Sequence, residues 1–381
     1  MTDNSRSDSN AVNARRALAV TGAFYILIAF EFLYMASPFA AYFYGVYGLG
    51  LDWLQGSRTT SWLIQFFMPH LVEETTSFAI DIHESVGLFL FFGGLAAFAA
   101  GAVQIYSAKL RGRGAVTGGL YRHIRHPQYL ALIVASIGML MLWPRYLVVM
   151  ATVTVIFVYI ALARAEESVC LRRFPGYASY LKNTGMFLPA AFSPNFKLPV
   201  GDSAAARMAV WALAYAASLG IALLVALGIR AHAIASFHIL TEREGVYLSV
   251  VAIPQRQLSE VARIARAAPE VRAAISGKTH LIAYVLPTGM YISEIPMHLP
   301  PGARYSHRVP ADRNPARYKV VFTQAVFGRR APLPEPSGIL WNAVHKTALW
   351  EVYVDLGAGQ VVASYPPPEK PFYGDRQVPL F

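Results

Sequence analysis

Long apolar runs separated by short polar segments fill the first 230 residues, and after about residue 240 the pattern changes to short alternating runs. A polar tail, residues 1–16, comes first. Ala17 to Pro38 then supplies roughly the ~20 residues a helix needs to cross a bilayer, and Tyr42, Phe43, Tyr44 and Tyr47 follow as an interfacial aromatic belt. Between residues 50 and 82 polar and apolar positions mix, and Ser61 to Phe67 is predicted to lie flat on the membrane surface. Ser85 to Tyr106 is the second predicted span, with small residues from Gly93 to Gly101 that permit close helix packing. Tyr129 to Trp143 and Tyr146 to Ala163 are short, and Pro144-Arg145 breaks them into a tight helical hairpin. Arg207 to Leu227 is the fifth.

Residues 240–381 predict a small soluble α+β domain. Val246 to Ile253 reads as a strand, and Gln257 to Ile275 has helical periodicity interrupted at Pro269. Leu281–Leu286 and Tyr291–Ile295 flank a Pro-Thr-Gly-Met turn as a hairpin; Val320–Val326 is a further strand. Leu349–Leu356 and Val361–Tyr365 flank Gly357-Ala358-Gly359 as a second hairpin. The fold class is therefore an α-helical membrane domain of about five spans (17–230) followed by an α+β domain.

Composition agrees: apolar residues are 55% of the chain and charged residues 14%, against about 25% charged in soluble domains. The net charge of +11 matters through its distribution. Basic residues cluster at Arg6, Arg15 and Arg16, at Lys109 to Arg125, and at Arg164 to Lys182; Phe39 to Ile82 holds one, Arg58. The positive-inside rule puts all three clusters on the cytoplasmic side, with the N-terminus, and five spans then predict an extracytoplasmic C-terminal domain. No basic stripe interleaved with aromatics suggests a nucleic-acid partner. The single cysteine, Cys170, excludes an intrachain disulfide and a cysteine-based zinc site.

Two clusters carry candidate chemistry. Gly118-Gly119-Leu120-Tyr121-Arg122-His123-Ile124-Arg125-His126-Pro127-Gln128-Tyr129 precedes the hairpin, and Ala165-Glu166-Glu167 closes it. Charged groups at a membrane edge cost several kcal/mol unless partnered, which points to a bound polar ligand. Pro127 suits the first turn of a helix, and the positive helix end favours an anion. Arg125 can grip a carboxylate in bidentate fashion, and His126 can donate to an oxygen or take a proton from a nucleophile. Tyr129 would line the pocket, and the Gly118-Gly119 pair lets backbone approach a bound group closely. Adjacent helix positions diverge by about 100°, so Glu166 and Glu167 are expected to take different partners.

Over residues 84–190 this arrangement resembles the integral-membrane methyltransferases that include isoprenylcysteine carboxyl methyltransferase and the phospholipid N-methyltransferases. There an Arg-His-Pro-x-Tyr segment and a later Glu-Glu pair enclose S-adenosylmethionine. The resemblance implies methyl transfer to a lipophilic acceptor. It assigns Gly119, Tyr121, Arg125, His126, Pro127, Tyr129, Glu166 and Glu167 to the cofactor, with Arg125, His126 and Glu167 as the catalytic set. One Glu would bind the cofactor's ammonium while the other pairs with Arg125, Arg164 or Arg122. Tyr177, Tyr180 and Leu188-Pro189 follow where the family has aromatics and a Pro; Phe174-Pro175-Gly176 departs from the usual Phe-Gly.

Competing readings attach to other features. The acidic pair, Cys170 and the later aromatics also resemble the ending of NADPH-dependent sterol reductases, though His126-Pro127 fits the methyltransferases better. A non-catalytic reading makes the C-terminal domain the working part, binding a protein partner or ligand. His70, Glu73 and Glu74 would share a helix face, with His83 near, but such a group is more often a membrane-rim hydrogen-bond network than a metal site, and no metal is expected. Glu31 inside the first span needs a partner. His280, His298, Ser306, His307 and Asp312 read as scattered surface residues.

Overall fold

The computed structural model describes residues 26, 29–30, 32–33, 35–39, 54, 59–111, 116–192, 203–327, 334–373 and 378–381. The described residues between 26 and 39 are helical; most of the first predicted span, Glu31, the aromatic belt and the N-terminal tail lie outside the described residues. Among the described residues before the sheet, the helices longer than one turn and described throughout are α1 (His83–Leu110), α2 (Pro127–Leu142), α3 (Tyr146–Arg173), α4 (Tyr177–Asn183) and α5 (Ala204–Ala235). Among the described residues, α1, α3 and α5 are long and apolar enough to cross a membrane. Large apolar side chains on them, such as Phe89, Val103, Leu213 and Leu224, stay exposed within the protein, as a lipid-facing surface requires.

The hairpin is less symmetric than its sequence suggests. At 16 residues, α2 rises about 24 Å, short of a ~30 Å hydrocarbon core. Its partner α3 runs 28 residues, to Arg173 and not Ala163. Ala, Arg and Glu between residues 163 and 167 are all good helix formers, so the polar stretch that ends the hydropathy signal does not end the helix. Glu166 and Glu167 therefore lie within α3, not at its end. Likewise α5 spans 32 residues, beyond the Arg207–Leu227 apolar stretch, and Ser61–Ile64 forms only a 3₁₀ turn.

Two compact units partition the described parts of the chain. One is built from Met1–Tyr47, Leu88–Met139 and Ala151–Ala216, the other from Gly48–Gly87, Leu140–Met150 and Ala217–Phe381. In the first, α1 lies so close to α2 that a Cβ on Gly94 would sit 2.7 Å from Ala131 O and from Ala135 N. The small-residue run serves the close packing read from it. Tyr159 of α3, fully buried, donates to Met35 O at 3.2 Å.

The second unit holds a six-stranded mixed sheet, β1 (His238–Glu242), β2 (Gly245–Ser249), β3 (Leu281–Pro287), β4 (Arg317–Phe327), β5 (Ala343–Asp355) and β6 (Gln360–Tyr365), in sequential order. Only β2 and β3 run parallel, and α6 (Gln255–Ala267) and α7 (Pro269–Ile275) make their crossover. Pro269 occupies the first turn of α7, where its missing N–H is harmless. Leu258, Val261, Ala262 and Ala265 place α6's apolar stripe in the core with Leu248, Ile282, Tyr284, Phe322 and Val352.

The expected hairpin of Leu281–Leu286 with Tyr291–Ile295 is not formed. β3 pairs instead with β4, and residues 291–295 are irregular. β1, whose His-Ile-Leu-Thr-Glu lacks clear alternation, was not anticipated. The β5–β6 hairpin forms as expected, with Gly359 at φ +66° in its turn. Residues 66–76 also belong to this unit: His70 N donates to Phe381 O (2.8 Å), Glu73 N to Val250 O (2.8 Å) and Thr76 N to Ser236 O (2.9 Å).

Candidate functional site

The two predicted clusters meet. Gly119, at φ +59°, opens a 3₁₀ turn over Gly119–Arg122, a conformation that favours glycine. Gln104 of α1 fixes that turn, its amide donating to Gly118 O (2.6 Å) and accepting from Leu120 N (3.3 Å). The chain then runs beside the segment after α4: Arg125 N donates to Gly185 O (2.9 Å) and His126 N to Met186 O (3.1 Å). Pro127 starts α2 as its first residue.

Five side chains form one network. Arg125 Nε donates to Glu167 Oε1 at 2.6 Å, and its Nη1 to Leu181 O (3.1 Å) and to Thr184 O. His126, only 3% exposed, has Nε2 3.2 Å from Glu167 Oε1 and Nδ1 3.5 Å from Glu166 Oε2. Tyr129, fully buried, donates its hydroxyl to Glu166 Oε1. Its ring stacks on His126 (5.5 Å between centroids) and on Tyr159 (4.9 Å). As expected, the two carboxylates diverge, but both reach His126, one at each ring nitrogen.

The electrostatics follow from this packing. Burial alone would lower the His126 pKa, but the hydrogen bonds and charges of Glu166 and Glu167 outweigh it and hold the imidazole above its ordinary value. Two basic side chains, Arg125 and His126, thus face two acidic ones, Glu166 and Glu167, at a membrane edge where unpartnered charge is costly.

Accessibility separates the candidates. Tyr121 is buried and donates to Gln128 Oε1 (2.7 Å), while Tyr180 donates to Tyr121 O (2.6 Å). Tyr129, His126 and Pro127 are buried as well. The side chains of Arg125 and Glu167 are 9% and 11% exposed, and that of Glu166 is 38% exposed. Gly119 is exposed. Arg164, one of three proposed partners for the Glu pair, instead lies over Trp211 (4.3 Å).

Gln104, Gln128, Tyr159 and Thr184 complete the site and were not singled out from sequence. Tyr159 was findable: it precedes Glu166 by seven residues, two helical turns on one face. The one sequence signal at Gln104 is a polar residue within an otherwise apolar span. Thr184 acts through its carbonyl, which no sequence pattern announces.

The second cluster is rearranged. Residues 65–76 are not helical, so His70, Glu73 and Glu74 share no helix face. Glu74 pairs with Arg313 (2.8 Å) and accepts from Ala252 N (2.7 Å). His83 Nδ1 is 2.5 Å from Ile80 O. His307, expected to be a scattered surface residue, sits 3.0 Å from the buried Glu294. His280 contacts Pro334 O (3.0 Å), and His298 stacks on Tyr365 (4.4 Å).

The described helices include three long and apolar enough to cross a membrane, and an Arg-His-Glu-Glu network stands at one end of the α2–α3 hairpin. Residues 86–175, about a quarter of the chain, match the phospholipid methyltransferase family. That stretch contains both clusters and bears out the resemblance read from them. No curated protein and no solved structure matches the chain.

Proposed function

We propose that this chain transfers a methyl group from S-adenosylmethionine to a lipophilic, membrane-delivered acceptor. The observation that carries the proposal is the convergence of Arg125, His126 and Tyr129 on Glu166 and Glu167, inside the segment similar to phospholipid methyltransferases. The donor set fits the cofactor. Glu166 is the exposed carboxylate of the pair and is assigned to the ammonium. Gly118-Gly119 brings backbone to its edge, and the start of α2 presents the positive helix end to a carboxylate. S-Adenosylmethionine supplies an already activated methyl group, so the protein's own work is alignment and exclusion of water.

Arg125, His126, Glu167 and Tyr129 act in this reading as positioning residues. They hold the Glu166 carboxylate and the start of α2 in place, with His126 bridging the two carboxylates. The basic clusters around Lys109–Arg125 and Arg164–Lys182 support a cytoplasmic position for this end of the hairpin and an extracytoplasmic position for residues 240–381.

The test uses the full chain purified in detergent and titrated with S-adenosylmethionine and, in parallel, NADPH. Saturable binding of the first alone is expected, weakened at least tenfold in Glu166→Gln. Transfer of labelled methyl groups to a membrane lipid extract should accompany it. Binding of NADPH alone, or methyl donor binding unchanged in Glu166→Gln, overturns the assignment.

A further inference from the structure

Away from the motif site, the second unit gathers two imidazoles and three carboxylates from segments far apart in sequence. Glu294 and His307 come from the long connection between β3 and β4, His70 and Glu73 from the segment before α1, and Glu84 from the first turn of α1. His307 Nε2 is 3.0 Å from Glu294 Oε2, and His70 Nε2 is 3.9 Å from Glu294 Oε1. The two imidazole rings lie 4.9 Å apart. One ligand atom from each of His70, Glu294 and His307 falls within 4.8 Å of the others. Donors around a tetrahedral ion with bonds of 2.0–2.1 Å stand about 3.3 Å apart, so small side-chain rotations close this set onto one ion.

The surroundings are those of a ligand shell. Glu84 Oε1 lies 3.2 Å from His70 Nδ1. His70 Nδ1 makes no hydrogen bond among the described residues at this distance, and a small rotation of Glu84 onto it would select the tautomer whose Nε2, facing Glu294, carries the lone pair. Ser293 donates to Glu294 Oε2 (2.8 Å) and orients that carboxylate. Phe66 and Trp143 wall His70 at 5.5 and 5.2 Å. His83, 6% exposed, lines the adjoining pocket with His70, Glu73 and Glu84, and its Nε2 is buried with no hydrogen-bond partner among the described residues. Three carboxylates, those of Glu73, Glu84 and Glu294, surround the two imidazoles. Burial, then the charge of Glu84, pushes the Glu73 pKa up to about 7.

We propose that His70, Glu294 and His307 bind one divalent first-row transition ion of the Zn²⁺ type, with Glu84 orienting His70 and a fourth position left open. Two imidazoles and a carboxylate suit such an ion, whereas Ca²⁺ and Mg²⁺ call for shells of oxygen donors. The ion ties the β3–β4 connection to the segment preceding α1.

The experiment takes the full chain in detergent, strips it with a chelator, reloads it with Zn²⁺ and measures retained metal after gel filtration. One ion per chain is expected. Retention should fall at least 100-fold in affinity in His70→Gln and His307→Gln and about 10- to 100-fold in Glu84→Gln, but stay unchanged in His298→Gln. Cobalt loading of the unmodified chain reads the same site without a variant, through the intense visible absorption of tetrahedral Co²⁺ and its loss when Zn²⁺ is added. No retained zinc, equal retention in a folded His70→Gln/His307→Gln variant, or a cobalt spectrum of the free aqueous ion overturns the site.

Discussion

The Arg125–Glu167 pair is the most exacting test of how the motif site is built. Arg125 donates to Glu167 and to two carbonyls, Leu181 O and Thr184 O, so its removal leaves the Glu167 carboxylate with His126 alone and takes a donor from both carbonyls. Both side chains are about nine-tenths buried. Breaking one side of such a pair costs roughly 3–5 kcal/mol, since the remaining charge stays desolvated. Arg125→Gln keeps one donor and should lie at the lower end, while Glu167→Gln leaves Arg125 with its carbonyl acceptors and should cost about 2–3 kcal/mol. In the double variant no unpaired charge remains, so its loss falls short of the sum by about 2 kcal/mol. The assay is a double-mutant cycle on detergent-solubilised chain, following unfolding of the helical signal by graded addition of SDS. Strict additivity, with coupling below about 0.5 kcal/mol, would refute a buried interacting pair and with it the positioning role given to Arg125.

Three further outcomes follow from the same geometry. Gly94→Leu places side-chain atoms where a Cβ alone would already meet Ala131 O and Ala135 N at 2.7 Å, so α1 and α2 must separate; thermal unfolding should show a loss of about 1–3 kcal/mol, and an unchanged midpoint contradicts the packing. Gly245→Ala drives a Cβ to 2.2 Å from Leu281 O in the one parallel strand pair; a loss of roughly 3 kcal/mol is expected, and wild-type sheet content and midpoint would rule the register out. Lys346, 2% exposed and donating to Pro379 O at 2.6 Å, has its pKa pushed down by burial to about 7. From about pH 7 to 9 the unfolded chain keeps this proton and the folded chain releases it, so stability should rise by up to about 1.4 kcal/mol per pH unit. Lys346→Met should reduce that slope and raise stability at pH 7. Lys319, shifted the same way by burial, supplies the residual slope. An identical slope in the variant would refute the assignment.

What was legible in the sequence was whatever announces itself locally. The apolar runs located α1, α3 and α5, because a span of that length has few alternatives. The break at Pro144-Arg145 located the hairpin turn, and Pro269 divided two helices as its missing N–H requires. The motif clusters were readable through residue type and order, and they do converge. Their roles were less readable. Arg125 and Tyr129 looked like ligand contacts on chemistry alone, and the sequence did not show that each also has partners inside the chain, Glu167 with two carbonyls for Arg125 and Glu166 for Tyr129. Burial is a property of what packs over a residue, and nothing in Arg-His-Pro-Gln-Tyr states that Glu167, Leu181 and Thr184 will cover it.

The β3 partner failed for a related reason. Leu281–Leu286 and Tyr291–Ile295 are near in sequence and joined by a turn-like Pro-Thr-Gly-Met, so local evidence favoured a hairpin. The sheet instead uses β4, thirty residues on, whose eleven-residue strand covers all seven residues of β3. A longer ladder satisfies more backbone groups in a buried strand, and that outweighs the larger loop, because closure entropy grows only logarithmically with loop length. The released residues 288–316 then become the connection that carries Glu294 and His307 to His70. The non-local pairing that sequence reading missed thus also delivers Glu294 and His307 to His70, a meeting that the spacing of the histidines along the chain does not announce.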